Sequence, residues 1–471
     1  MAGRLGMNGY VSDVLQQAQH MAERMDFLSQ KLALVSPVKI LELLQPDISA
    51  RLKIASQAEQ QILGKMVALQ EELDWYVYHL YGLTDEALCY NAELPVVELG
   101  QRAFEILLAQ NLESGESETV WFEHHGSQPN TQIPRYWASD YQNLIRRRIK
   151  EISNNRWLKL IDNKDHKRRW NRVGWKARLY VATQQWLLKR IENVGKAAKL
   201  QTCAQLADRL RHDESFQQVA AIYGGASDVD LQTLVAELVA GDSVPQMAAV
   251  RLKPAAMPKF RAWQETWNKQ RVEDAIDAKF GVNQPLADAD AKIPEKKNAY
   301  QLALKQAEAE KQQQVGEISV PPQYKQPDFR KPGYWSLRGK LDVPKERFFS
   351  LPGCEKAGDS TLVIGWAGLS HLQRATAIAA WYLDRKDNEG WEAEQLMPML
   401  VALDELIPWL KQWHNHIDPE FNERMGDYYE SFLLEELRTL SVPRTALTSW
   451  LPPAVASKRG GGRKKKTAAE A

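Results

Sequence analysis

Cysteine is almost missing from this chain: 3 residues in 471, at Cys89, Cys203 and Cys354. They are odd in number and far apart, so they form neither a disulfide framework nor a zinc spacing, and a reducing cytoplasm fits. Long apolar runs are lacking too. No stretch of about 18 apolar residues occurs, and the N-terminus MAGRLGMNGYVSD has no apolar signal core. Neither export nor a membrane span is expected. A glycine-rich phosphate cradle is also absent. GWAG (365–368) has neither GxGxxG nor GxxxxGK spacing and reads as a turn between strand and helix. His414 and His416 of WHNHID stand at i and i+2, which face apart on a helix. His124 and His125 lie in a turn-rich loop without cysteine partners. PDFRK (327–331) lacks the downstream acid–x–lysine that a nuclease carboxylate site needs. No catalytic, cofactor-binding or metal-binding residue is therefore assigned.

What is present is helical. The chain is 44% hydrophobic and 26% charged, the composition of a globular protein of several domains. Apolar residues recur at spacings of three and four over 10–33. In the next helix Ile62, Met66, Leu69, Leu73, Tyr76 and Leu80 make a short heptad seam, which suits a helical hairpin with 10–33. That helix ends in QEELDWYVYHLYGL (70–83). Gly82 takes the left-handed C-cap position with Leu83 as its apolar contact. Thr84-Asp-Glu then reads as the start of another helix. Further helices are expected over 139–153, 172–194, within 201–240, 260–280, 368–384, 391–413 and 425–440.

The fold class expected is mainly α, a multi-domain helical scaffold with a small mixed α/β or irregular segment near 318–368. The expected domains are a helical hairpin (1–90), a basic, Trp-rich helical region (91–200), a helical region (201–280), a linker or exposed helix (281–318), a mostly helical C-terminal module (319–445) and a disordered basic tail (446–471).

The net charge is +1, but it is unevenly spread. From Arg135 to Lys199 there are 18 Lys and Arg against 5 Asp and Glu. IRRRIK (145–150) and HKRRWNRVGWKARLY (166–180) hold the clusters, interleaved with Trp157, Trp170, Trp175 and Trp186. Such a surplus repels itself unless a polyanion or an acidic partner neutralises it. Lysines and arginines supply salt-dependent phosphate contacts, and tryptophans can stack on bases. The candidate DNA-binding residues are Arg146, Arg147, Arg148, Lys150, Lys167, Arg168, Arg169, Arg172, Lys176 and Arg178. A charged, solvated helix face is the plain alternative.

Longer segments carry a resemblance. HKRRW, QQWLLKRIE, QLADRLRHDESFQQVAAIYGG, RAWQETWNKQRVED, FRKPGYWSLRGKLDVPKERFFSLPG, GWAGLSHLQRATAIAAWY and DPEFNERMGDYYESFLLEELR resemble the C-terminal half of PglX-type adenine-specific DNA methyltransferases of the BREX and DISARM phage-defence systems. QEELDWYVYHLYGL resembles the helix end beside the target-recognition region of fused restriction–modification methyltransferases. The likeness covers nearly everything from about residue 50 onward. It implies a recognition scaffold beside a catalytic domain that binds S-adenosylmethionine. The marks of that domain, an FxGxG-like loop and an N/D-P-P-Y/F tetrapeptide that grips an extruded adenine, are missing here; VPPQY and LPPAV are the only double prolines. The expectation is a detached, non-catalytic portion that binds duplex DNA, docks a separately encoded methyltransferase or other defence subunit, and leaves S-adenosylmethionine to another domain. An interaction scaffold without nucleic-acid contact, or a decayed gene fragment, is the alternative.

Overall fold

The structure, a computed structural model, describes residues 2–43, 47–419 and 422–453. The basic tail is therefore outside the described residues from 454 onward. The fold is mainly α, as expected, with one small mixed sheet. The chain divides into two units: residues 1–187 with 214–229, and residues 188–213 with 230–471.

In the first unit the Ala2–Leu34 and Ile48–Leu80 helices form the expected hairpin. The second ends as its sequence indicates. Gly82 has φ +67°, its N–H donates to His79 O, and Leu83 N–H donates to Tyr78 O, closing the last turn with the paired bonds of a left-handed cap. The helix buries more than its heptad seam. Val67, Ala68, Glu71, Trp75 and Tyr78 are also buried, and this face joins Phe104, Trp121, Trp137, Tyr141 and Ile145 in one core. Residues on both sides of position 90 thus share that core.

No helix starts at Thr84. Residues 85–99 run as an irregular strap along the Ile48–Leu80 helix instead. Their backbone finds partners on the helix itself: Tyr90 N–H donates to Glu72, and Val97 N–H donates to Gly64 O. Gly64 allows this approach, since a Cβ there would lie 2.3 Å from Val96 Cγ1.

In the second unit four short strands form a sheet of order β1-β4-β3-β2: β1 Gln201–Thr202, β2 Ser243–Pro245, β3 Phe348–Ser350 and β4 Val363–Trp366. The β2/β3 pair is parallel; β3/β4 and β1/β4 are antiparallel. From β4 the chain turns into the His371–Glu389 helix, capped by Ser370 and Gln373 in a reciprocal pair. The Ala393–Asp404, Ile407–Trp413 and Met425–Thr439 helices pack with it around Ile378, Tyr382, Met399, Leu400 and Leu433. The single helix expected over 391–413 is therefore two, with Pro408 in the first turn of the second. The segment 281–318 is an exposed helix, Pro294–Gln314, lying antiparallel on the Met257–Phe280 helix through Lys279–Glu310 and Lys311–Asp277 pairs and a minimal core of Ile276, Ala307 and Val315.

Candidate nucleic-acid interface

The Ser139–Asn154 helix carries the first basic cluster. Tyr141, Leu144, Ile145 and Ile152 form its buried stripe, and Arg148 lies on that same stripe with no solvent exposure. Its Nη2 donates to Glu72 at 2.7 Å and its Nε to Leu88 O at 2.9 Å, while Glu71 lies 3.8 Å away. Arg148 is an internal counter-ion to the acids of QEELDWY, not a phosphate contact. A buried guanidinium keeps its charge only because those carboxylates and a carbonyl replace its water.

Lys167 is corrected in the same way. It is buried; its Nζ pairs with Asp74 at 2.7 Å and with Asp162, and donates to Tyr78 Oη at 3.1 Å. Tyr78 Oη donates in turn to Asp162. Burial pushes the Glu71 carboxyl up to about 7, against the opposing pull of Arg148. Nearby, Arg102 clasps Glu105 through two hydrogen bonds, and Trp121 Nε1–H donates to the same carboxylate. Part of the apparent basic surplus is thus neutralised inside the first unit.

The other candidates stay at the surface. Arg146, Arg147 and Lys150 share the exposed side of their helix, opposite Arg148. Arg147 pairs with Glu86. Arg178 and Arg172 are drawn together on Glu59, with Arg172 3.8 Å from it. Arg168 covers the ring of buried Trp170 at 4.3 Å. Arg169 lines an open cleft of about 880 Å³ with Lys164, His124 and His125. Burial, and then Arg169, lower the His125 pKa, so its imidazole is neutral at pH 7. Arg146, Lys150, Arg168, Arg169 and Lys176 have no carboxylate partner among the described residues. Of the tryptophans between 135 and 199, Trp157 is the most open, at 54% exposed; Trp137 and Trp170 belong to the core.

The remaining sequence candidates have structural roles. Asp328 of PDFRK accepts from Lys259 and from the Lys325 N–H. In GWAG, Gly365 and Trp366 end β4 and Ala367 and Gly368 form the turn out of it. Among the described residues no group of three or more His, Cys, Asp or Glu side chains could hold a metal ion, and no helix is long and apolar enough to cross a membrane.

Comparison with known proteins places the chain. It is similar to the adenine-specific methyltransferase PglX of Streptomyces coelicolor, with 35% identity over 446 residues, covering 92% of this chain and 34% of PglX. The chain spans about a third of the length of that curated relative. No solved structure matches it. Residues 66–464 match the family described as Domain of unknown function (DUF7008), and to that family this chain belongs.

Proposed function

We propose that this chain is a non-catalytic part of an adenine-specific DNA methyltransferase system used in phage defence, holding duplex DNA beside a catalytic domain or chain that carries S-adenosylmethionine. The observation that carries this reading is the exposed face Arg146/Arg147/Lys150, in a segment of 18 Lys and Arg against 5 Asp and Glu. An exposed cationic helix face gives contacts to phosphates that need no base readout. Filter binding of a duplex at low salt tests it. Binding is expected for the native chain and loss of most affinity for the triple variant R146Q/R147Q/K150Q, with unfolding unchanged. No duplex binding at low salt, or an unaffected triple variant, overturns the reading.

A second reading is a docking scaffold for another defence subunit without DNA contact. It is favoured by the ion pairs that already engage Arg147, Arg172 and Arg178. Partners that co-purify and survive nuclease treatment support it; partners lost with the nucleic acid do not.

A further inference from the structure

The second unit contains a cavity of about 430 Å³ that the DNA-binding reading does not use. That is within the size range of small-molecule sites. One wall is the Met257–Phe280 helix, whose single fully buried side chain is Ile276. Yet the helix carries Phe260, Trp263 and Trp267 at spacings of three and four, followed by Arg271. An aromatic stripe at that spacing ordinarily enters a core. Here Phe260 and Trp263 pack partly against the core around Leu252, Tyr324 and Phe329, the stripe also lines the cavity, and Trp267 remains 36% exposed. Opposite it stands Trp409. His371 stacks on Trp409 with centroids 5.5 Å apart and planes 9° apart, Trp267 meets it edge-on at 5.2 Å, and the Arg271 guanidinium covers it at 4.7 Å.

The charges at this cavity do not cancel. Arg251 pairs with Asp342 at 2.9 Å and reaches Glu405 at 3.9 Å. Arg338 pairs with Glu346 and shares Asp342. Among the described residues Arg374 makes no ion pair: it donates to Gln246 Oε1 and Ala367 O, and its Nε is buried without a hydrogen-bond partner, as is the Nε of Arg338. Arg271 donates only to the neutral amides of Gln412 and Asn268. Four guanidiniums thus face three carboxylates. Burial holds one of these acids, Glu405, up at about 7, which thins the negative charge further. Burial, and then Arg338, hold the Arg374 pKa down to about 10. Burial, then Arg374, lower His371 to about 4, so its ring is neutral and free to stack.

Cationic groups without acids call for an anion; a tryptophan wall calls for a flat apolar face. Gln264 and Asn268, on the same helical side, offer amides of the kind that read a base edge. We propose that this cavity binds a nucleoside phosphate, with the base against Trp267 and Trp409 and the phosphate on Arg271 and Arg374. The ligand is either a free nucleotide or one nucleotide unit of a single strand.

Calorimetric titration of the full chain tests this with adenosine 5′-monophosphate, adenosine, inorganic phosphate and a short oligodeoxyadenylate. The nucleotide is expected to saturate, with adenosine and phosphate each about 10-fold weaker or more, since one base–aromatic stack is worth about 1–3 kcal/mol. W267A and R271Q are each expected to weaken nucleotide binding about 10-fold while lowering the thermal unfolding transition only slightly, since both side chains are solvent-accessible and their contacts with Trp409 lie outside the main core. An oligonucleotide that binds more tightly than the monophosphate, and loses that advantage in R271Q but keeps it in R146Q/R147Q/K150Q, identifies the strand as the source. Equal affinities identify the free nucleotide. Absence of saturable binding by both, phosphate alone binding as tightly as the nucleotide, or unchanged affinity in W267A and R271Q overturns the proposal. Because R271Q leaves the Ser139–Asn154 helix intact, failure here leaves duplex binding by the first unit standing.

Discussion

Arg146 and Arg148 are two residues apart, chemically identical and physically opposed. Arg146 meets water and the amides of Gln142 and Asn143, while Arg148 holds Glu72 with no exposure. Arg148→Met leaves Glu71 and Glu72 buried without their cation, so a loss of about 3–5 kcal/mol in chemical unfolding is expected. Arg146→Gln stays within about 0.5 kcal/mol of the native chain, because only a surface contact is lost. Glu71 adds a pH signature. Its carboxyl is held at about 7 in the folded protein against an ordinary 4.5. Below 4.5 both states are protonated and this group's contribution is complete. As pH rises the unfolded chain releases the proton first, so stability declines until the folded carboxyl ionises near 7. Glu71→Gln keeps an acceptor for the Ala103 N–H and is expected to lack that part of the slope between pH 4.5 and 7 in urea midpoints; an unchanged slope disproves the assignment. The sequence held a clue to Arg148, since positions 141, 145, 148 and 152 follow helical spacing. It held none to the burial of Lys167, whose partner Asp74 lies on a helix far back in the chain and is brought to it only by the fold.

Elements were legible where one face repeats or where a terminus has its own chemistry. The Gly82 cap is an instance, and its energetics are separable. A Cβ there meets nothing within 4 Å, so only the left-handed backbone penalises a side chain. Gly82→Ala is expected to cost about 1 kcal/mol and Gly82→Asn clearly less, since Asn tolerates this region. Equal losses in thermal unfolding would point to packing instead. The helix over 139–153 was readable because its stripe is apolar apart from one position. The strap over 85–99 was not, for Thr84-Asp-Glu has the local form of a helix start. Its true conformation depends on Glu72 and Gly64 of another element. The strands β1 and β2 are two and three residues long, too short for alternation to register. The acids Glu71 and Glu72 were hidden for a similar reason: an apolar heptad count skips charged residues, even when they occupy the buried face.

For the molecule as a whole, charge decides how much duplex binding this chain can sustain. Its net charge is +1, so the segment 135–199, with 18 Lys and Arg against 5 Asp and Glu, is offset by an acidic remainder. Long-range attraction to a polyanion is therefore weak, and contact has to be local, within a Debye length of about 8–10 Å at physiological salt. Subtracting Arg148 and Lys167 leaves eight surface candidates, and three of these already hold acids, leaving five. Each phosphate neutralised contributes about −0.9 to the slope of log affinity against log salt. The five unpaired cations give about −4 to −5, and all eight give about −7. A slope in that interval is expected from filter binding across a salt series, shallower by about 1 for R146Q or K150Q alone and unchanged for a conservative surface substitution such as Lys279→Gln. A slope much steeper than −7 would mean that cations beyond these eight carry the contact, those of the 458–466 tail first among them. A flat line would leave the acidic partners as the sole counterpart of the basic face.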